Sequence, residues 1–489
     1  MSQRRERHKA LVYHSKPSPG KIKVVPTKSH QSQRDLSLAY SPGVAYPCLE
    51  INENPDDVYK YTSKSNLVAV ISNGTAVLGL GDIGPLASKP VMEGKGLLFK
   101  IFADIDVFDI EVDTNNIEEF IQTVKNISPT FGGINLEDIK APDAFEIERR
   151  LVDELDIPVM HDDQHGTAII SGAALINALE IADKKINEVK MVICGAGAAA
   201  ISCGKIYIAL GVKAENIIMF DSKGPINEKR DNLTSEKKDF VSNRNDVETL
   251  SDAVKNSDIF IGLSKSNVLT AEMLKTMALN PIVFAMANPD PEISYQLAIS
   301  TRDDIIMATG RSDHPNQVNN VLGFPFIFRG ALDVKASKIN EEMKMAAVHA
   351  LAKLAKEPVP EYVNIAYGEK KLAFGRDYII PKPFDQRLIT TVPLAVARAA
   401  ISSGVAREKI EDWDKYENEL ASRLGNNNKI TRLLISKAEN NPKRIVYPEA
   451  DKLDVIRAAQ IVHEDGIGIP ILLGNRERIE KMRSEIEYE

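Results

Sequence analysis

Residues 189–200 read Val189-Lys190-Met191-Val192-Ile193-Cys194-Gly195-Ala196-Gly197-Ala198-Ala199-Ala200. A short apolar run ending in Gly-x-Gly-x-x-Ala predicts a buried strand that turns sharply into a helix, here through Leu210. Gly195 permits the tight turn, Gly197 lets a pyrophosphate approach the backbone, and Ala200 allows close helix packing. The amides of this loop, Ala196, Ala198 and Ala199 among them, together with the helix dipole, then hold the anion. The next expected strand, 216–221, closes on Asp221, where an acid meets a ribose 2′-hydroxyl. That acid leans toward NAD because it repels a 2′-phosphate. Lys223, Lys229 and Arg230 in the adjoining loop offer such a phosphate cations, so the local chemistry leaves NAD and NADP open.

Outward from this loop, strands are expected at 258–263, 281–287 and 304–308, alternating with helices, and 166–179 reads as the helix leading in. Such alternation predicts an α/β fold with a parallel sheet covered by helices, a Rossmann-like doubly wound dinucleotide-binding domain over residues 166–405. The Ala-rich segment 329–356 reads as one long helix and 392–402 as another. Residues 1–165 read as a separate N-terminal α/β unit for substrate and metal, with strands at 67–71 and 76–80 and a helix at 117–126. Residues 406–442 read as a helical linker broken at Gly425 and Asn426 to Asn428. Residues 443–489 open a third α/β domain, with a strand at 444–450, a helix at 455–464 and a strand at 470–473. One such unit cannot bury its own faces.

Bulk properties bound the function. The 489 residues imply several domains, and 43% hydrophobic with 27% charged residues is ordinary globular composition. A net charge of −8 argues against a nucleic-acid surface. Cys48, Cys194 and Cys203 are scattered without a zinc spacing, which fits a reducing compartment. No stretch approaches the roughly 18 apolar residues of a membrane span, and the basic start lacks a secretory apolar segment, so a cytoplasmic location is expected.

Acidic residues cluster at two strand ends. Glu137 and Asp138 follow one near Ile134, and Asp162 and Asp163 follow another over 157–160, just before the dinucleotide domain. Carboxylates there are placed to meet in a cleft and hold a hard cation, Mg²⁺ or Mn²⁺. Neighbours in a strand face opposite ways, so Glu137 and Asp138 can both ligate only if the chain turns between them. Lys95, in Gly94-Lys95-Gly96 before the apolar run 97–102, is expected near a helix N-terminus, whose positive end lowers its pKa toward that of a general base. Tyr40 lies on the turn-forming Ser41-Pro42-Gly43 segment, where a phenol can protonate carbon. His161 and His165 flank the aspartates and read as structural.

Together these residues resemble the malic enzyme family, specifically bacterial hybrid members in which a malic enzyme is fused to a phosphate-acetyltransferase-like domain. The likeness runs over residues 36–405 through Tyr40-Ser41-Pro42-Gly43, Gly79-Leu80-Gly81-Asp82-Ile83-Gly84, Ile134-Asn135-Leu136-Glu137-Asp138, His161-Asp162-Asp163-Gln164-His165-Gly166-Thr167, Asn288-Pro289-Asp290-Pro291-Glu292 and 316–325. The resemblance implies oxidative decarboxylation of malate. Lys95 becomes the base for the malate hydroxyl and Tyr40 the acid at C3. Glu137, Asp138 and Asp163 become the metal ligands, and Asp162 a carboxylate that tunes Lys95. Asn288 and Asn320 become contacts to substrate and nicotinamide. Kinship narrowly favours NADP over NAD. It also implies homodimers or larger assemblies, and acetyl-CoA as regulator of the full-length form through a C-terminal domain of which 444–474 resembles the opening. A chain with only that opening is expected to lack acetyl transfer. One departure stands out: the arginine that larger members carry before Gly-Leu-Gly-Asp is absent, leaving the Asn73-Gly74-Thr75 loop and Arg311 as candidates to grip a substrate carboxylate.

Overall fold

The computed structural model describes residues 2–16, 18–288, 290–368, 371–424, 438, 441–464 and 466–486. The first unit carries two short surface helices, α1 (Gln33–Ala39) and α2 (Ala45–Glu53), and then β1 (Leu67–Ser72), α3 (Pro85–Ala103), β2 (Asp106–Glu111), α4 (Ile117–Ile127), β3 (Gly133–Leu136), α5 (Asp143–Glu154) and β4 (Val159–His161). Its sheet has the order β2-β1-β3-β4 and is parallel throughout. β1 is buried on both faces, as a continuous apolar strand of a covered parallel sheet must be. Leu67, Ala69 and Ile71 pack with Phe120, Ile121, Ile147 and Leu151 of α4 and α5, while Val68 and Val70 point to the opposite layer with Phe99 of α3.

Helix α6 (Asp162–Ile181) leads to β5 (Met191–Cys194), α7 (Ala198–Leu210), β6 (Ile217–Asp221), β7 (Gly224–Pro225), β8 (Ile259–Gly262), β9 (Ile282–Ala285) and β10 (Ile306–Thr309). The sheet order is β10-β9-β8-β5-β6-β7, with only β7 antiparallel. Chain order reverses beside β5, which puts the Gly195 loop at the switch point where open α/β sheets bind ligands. One apolar core runs from Val68 and Phe99 through α6 to Met191, Ile193 and Ile261, so the two sheets share a packed layer.

Three expectations are corrected. Residues 76–80 form a turn closed by the Val77–Gly81 bridge, because Leu78 takes a positive φ of 47° and no strand lies alongside. The expected helix 329–356 is two helices, α8 (Phe324–Asp333) and α9 (Glu341–Leu354). The chain breaks at Lys335, with φ 48°, and restarts where the Asn340 side chain accepts the Met343 amide. Lys95 lies in the interior of α3, which begins at Pro85 rather than at Gly94.

Helix α10 (Leu388–Ser402) packs on α8 and α9, followed by α11 (Trp413–Arg423). The Tyr416 hydroxyl donates to Asp333 Oδ2 at 2.8 Å, and Arg423 reaches Asp104 and Asp333 at 3.6 and 3.7 Å. Arg329 is fully buried, forked onto Asp333 and donating also to Asn66. The expected break at 425–428 lies outside the described residues. The last elements are β11 (Lys443–Tyr447), α12 (Leu453–Glu464), β12 (Gly468–Leu472) and α13 (Arg476–Ile486). β11 and β12 pair in parallel, and β11 stays largely exposed, as expected of a unit that cannot cover its own sheet. Among the described residues, no helix is long and apolar enough to cross a membrane.

Candidate functional site

Helix α3 lays Lys95 against the ends of β3 and β4. Its ammonium is 2.7 Å from Asp162 Oδ2 and 2.8 Å from Glu137 Oε1, and it sits 4.3 Å from the Phe324 ring centre at the start of α8. Burial opposes the charge, but Asp162, Glu137 and Asp163 outweigh it and hold the amine above its usual pKa range. The expected lowering by a helix N-terminus is therefore replaced by the opposite shift, since Lys95 is mid-helix and faces carboxylates.

Glu137, Asp138 and Asp163 each offer an oxygen, all within 4.8 Å of one another. The chain does turn between Glu137 and Asp138: Asp138 has φ 54°, so both side chains reach one space. The Asp138 amide donates to Asp163 Oδ2 at 2.8 Å, and Asn135 donates to Glu137 Oε2 at 2.9 Å. Burial, then the neighbouring charges, pushes Glu137 well up and Asp138 up to about 7. Asp138 Oδ2 is buried without a partner among the described residues. Crowded carboxylates, two of the three buried, with an orphaned oxygen fit a hard divalent cation, whose charge would relieve them and whose preference is for oxygen.

Asn320 joins this cluster to the dinucleotide unit. Its Nδ2 donates to Asp162 Oδ2 at 3.1 Å, and Thr167 donates to its Oδ1 at 3.0 Å. A Cβ on Gly166 would fall 2.2 Å from Asp162 Oδ1 and 2.9 Å from the Asn320 side chain, so glycine makes this approach possible. Asn288 lies beside Gly310, whose added Cβ would meet it at 3.2 Å.

At the glycine loop, Gly195 has φ 129° and would clash with Leu263 O if it bore a Cβ. Gly197 is exposed at the N-cap of α7 with no side chain capping the helix and open space where a Cβ would stand, which leaves the first helical amides accessible to an anion. Asp221 does not wait for a ribose. Arg230 forks onto it at 3.1 and 3.0 Å, Lys237 holds Oδ2 at 2.8 Å, and the Lys223 amide donates to Oδ1. Those donors outweigh its burial and hold the carboxyl well below the usual range. Lys229 turns instead to Asn245 O. Lys237 lay outside the sequence reading, because only the β6–β7 hairpin returns it to Asp221. Glu292 was likewise missed: buried, it accepts the Ser264 and Ala287 amides and so ties the ends of β8 and β9.

Three expected contributors turn their polar groups elsewhere, although the turn after Thr75 lies beside the cluster, with the Ala76 amide donating to Asp138 O at 3.0 Å. Tyr40 is 77% exposed at the end of α1, and its hydroxyl has no hydrogen-bond partner among the described residues. Asn73 and Thr75 spend their polar atoms on each other, Thr114 O and the Lys140 amide. Arg311 is forked onto Asp313.

Residues 19–118 and 114–152 match the model "Malic enzyme, N-terminal domain", 164–366 match "Malic enzyme, NAD binding domain", and 429–489 match "Phosphate acetyl/butaryl transferase". The chain is 56% identical over 472 residues to a probable NADP-dependent malic enzyme of Rickettsia prowazekii, covering 96% of this chain and 62% of that one. It therefore spans about 62% of the length of such curated relatives. To an NADP-dependent malic enzyme of Halomonas elongata it is 58% identical over 402 residues, covering 82% of this chain and 95% of that one. The crystal structure of malic enzyme from Pyrococcus horikoshii superposes with a TM-score of 0.79 at 42% identity, covering 88% of this chain and 98% of that one. With a relative matched over nearly its whole length, and the lysine, carboxylates and glycine loop of the sequence pattern standing in one folded framework, the chain belongs to the malic enzyme family.

Proposed function

We propose that this chain catalyses the oxidative decarboxylation of malate to pyruvate and carbon dioxide with reduction of NADP, in the presence of Mg²⁺ or Mn²⁺. The observation that carries the reading is the contact of Lys95 with both Asp162 and Glu137, a base candidate at the edge of a carboxylate triad. Glu137, Asp138 and Asp163 would hold the ion. When bound, the ion supplies Lewis acidity at the C2 oxygen of the substrate and the nicotinamide supplies the hydride acceptor. Lys95 would take the proton of the malate hydroxyl as the neutral amine, a form that a cation on Glu137 and Asp163 favours by offsetting the anions that hold it protonated, and Asp162 orients it. Asn288 and Asn320 orient substrate and nicotinamide, Asn320 through its tie to Asp162. Residues 195–200 bind the pyrophosphate. Arg230 and Lys237 already neutralise Asp221, and that surplus of cations favours the 2′-phosphate of NADP over NAD.

Our division is residues 1–165 for substrate and metal, 166–405 for the dinucleotide, 406–442 as linker and 443–489 as phosphate-acetyltransferase-like. A cytoplasmic location suits the free cysteines. Helices α1 and α2 bury no residue, and Leu38, Tyr40, Tyr46, Leu49 and Leu86 are exposed. We assign a second copy of the chain to cover this apolar surface, with Tyr40 serving as the acid at C3 in that copy's cleft. Acetyl-CoA is the effector assigned to a form carrying the complete C-terminal domain.

The test is the absorbance of NADPH formed from malate and Mn²⁺, repeated with NAD and with acetyl-CoA. No reduced cofactor with either nucleotide overturns the reading.

A further inference from the structure

Glu148 of α5 is a buried carboxylate that touches neither Lys95 nor the triad, yet it grips the segment carrying two of the site's acids. Its Oε1 accepts the backbone N–H of His161 at 2.7 Å, and its Oε2 accepts His165 Nε2 at 3.0 Å. His161 ends β4 and stands at the N-cap of α6, while His165 lies in the first turn of that helix. Between them are Asp162, held to Lys95, and Asp163, one corner of the triad. One side chain therefore clamps both ends of the elbow that presents these carboxylates.

The clamp continues into the second unit. His165 Nδ1 lies 3.3 Å from Lys344 Nζ of α9, and Lys344 in turn pairs with Glu341 at 2.5 Å. Nε2 faces Glu148 and Nδ1 faces Lys344, so the ring bridges the two elements. The elbow is thus bracketed by α5 on one side and α9 on the other. Asp163 has 41% of its side chain exposed, far more than Glu137, so its own packing does not fix it. The His161 ring is fully buried, and among the described residues neither ring nitrogen has a hydrogen-bond partner, so that residue is tied through its backbone amide to Glu148. Burial pushes the Glu148 carboxyl up, but His165 and His161 outweigh it and hold it at about 2, so it is an anion throughout the working range.

We propose that Glu148 is a positioning residue for the divalent-cation site, holding the 161–165 elbow so that Asp163 stands against Asp138 and the three carboxylates converge before the ion arrives. The proposal rests on the metal-dependent reading above. Outer partners of this kind set affinity by removing the cost of ordering the ligands.

The test is Mn²⁺ binding to the metal-stripped full chain, read from the electron paramagnetic resonance signal of free Mn²⁺, with NADP binding and far-ultraviolet circular dichroism measured in parallel. Glu148→Gln keeps the shape but loses the anion, and is expected to weaken Mn²⁺ binding about 10–100-fold while leaving NADP binding unchanged. His165→Gln retains a donor toward Glu148 and is expected to stay near wild type, whereas His165→Ala behaves like Glu148→Gln. If the wild type binds Mn²⁺ and Glu148→Gln binds it equally, the positioning role is overturned and the metal reading stands. If the wild type binds none, the metal reading fails and takes the proposal with it. Should Glu148→Gln not fold, the His165 pair decides: equal affinity in the Ala and Gln variants overturns the role.

Discussion

Lys95 Nζ stands 2.8 Å from Glu137 Oε1, so a single contact joins the lysine we assign as base to the carboxylates we assign to the metal. Lys95→Ala is expected to lower turnover about 10²–10⁴-fold while NADP affinity is retained, because the glycine loop is held by other elements. Glu137→Gln removes one of the charges holding the ammonium, so the pKa of Lys95 falls. Its reactivity toward an amine-specific acylating reagent, followed against pH, should rise at lower pH than in the wild type.

Metal removal should reverse the usual pH trend at this site. Folded Asp138 titrates at about 7, above its ordinary value of 3.8, so between those pH values the folded state binds more protons than the unfolded one. Its contribution to stability is present below about 4 and is lost as pH rises through 7. Metal-free protein is expected to melt at lower temperature at pH 7.5 than at pH 5.5. Mn²⁺ at a hundred times its dissociation constant should add about 2.7 kcal/mol of stability at pH 7.5. Thermal unfolding at the two pH values, with and without Mn²⁺, checks both statements.

Arg230 and Lys237 compete for Asp221 from two sides, and each is expected to serve the 2′-phosphate. Arg230→Ala also leaves Asp221 less neutralised and facing the nucleotide. A charged hydrogen bond contributes about 1.5–3 kcal/mol, so the NADP dissociation constant should rise tenfold or more while that of NAD changes little. Fluorescence titration of the two nucleotides tests this, and a parallel loss for NAD would remove the specificity role.

Tyr40 offers a mixing experiment. Tyr40→Phe and Lys95→Ala should each be nearly inactive alone. If Tyr40 serves the partner's cleft in a symmetric dimer, exchanging subunits between them should restore about a quarter of wild-type activity, since half the dimers are hybrids with one intact site. A tyrosine acting within its own chain restores none.

The dinucleotide unit was legible because buried parallel strands are unbroken apolar runs and the glycine loop has fixed spacing. The strand expected over 189–194 is β5, two residues shorter at its start. The apolar residues at 76–80 misled because only one of them enters the core: Val77 is buried, while Leu78 and Leu80 lie on the surface of a turn. Composition favours a helix throughout 329–356 and carries no sign that the chain turns at Lys335 after the buried Arg329–Asp333 pair. The carboxylates we assign to the metal were legible as residues, but their convergence depends on the left-handed backbone at Asp138, which spacing does not show. The state of Lys95 was misjudged because a local dipole was weighed without the carboxylates that only the tertiary fold delivers.

Helix α11 has a consequence of a mechanical kind. Asp104 ends α3, whose middle carries Lys95, and Asp333 ends α8, whose first residue, Phe324, floors Lys95. Arg423 grips both of these helix ends and Tyr416 grips one, so α11 acts as a yoke across the far ends of two rods that meet at the lysine. The segment that passes from the dinucleotide unit toward the C-terminal strands is therefore also the brace that sets the gap between the amine and its aromatic floor. A load carried along that segment is expected to reach the site as a change in the spacing of those two rods.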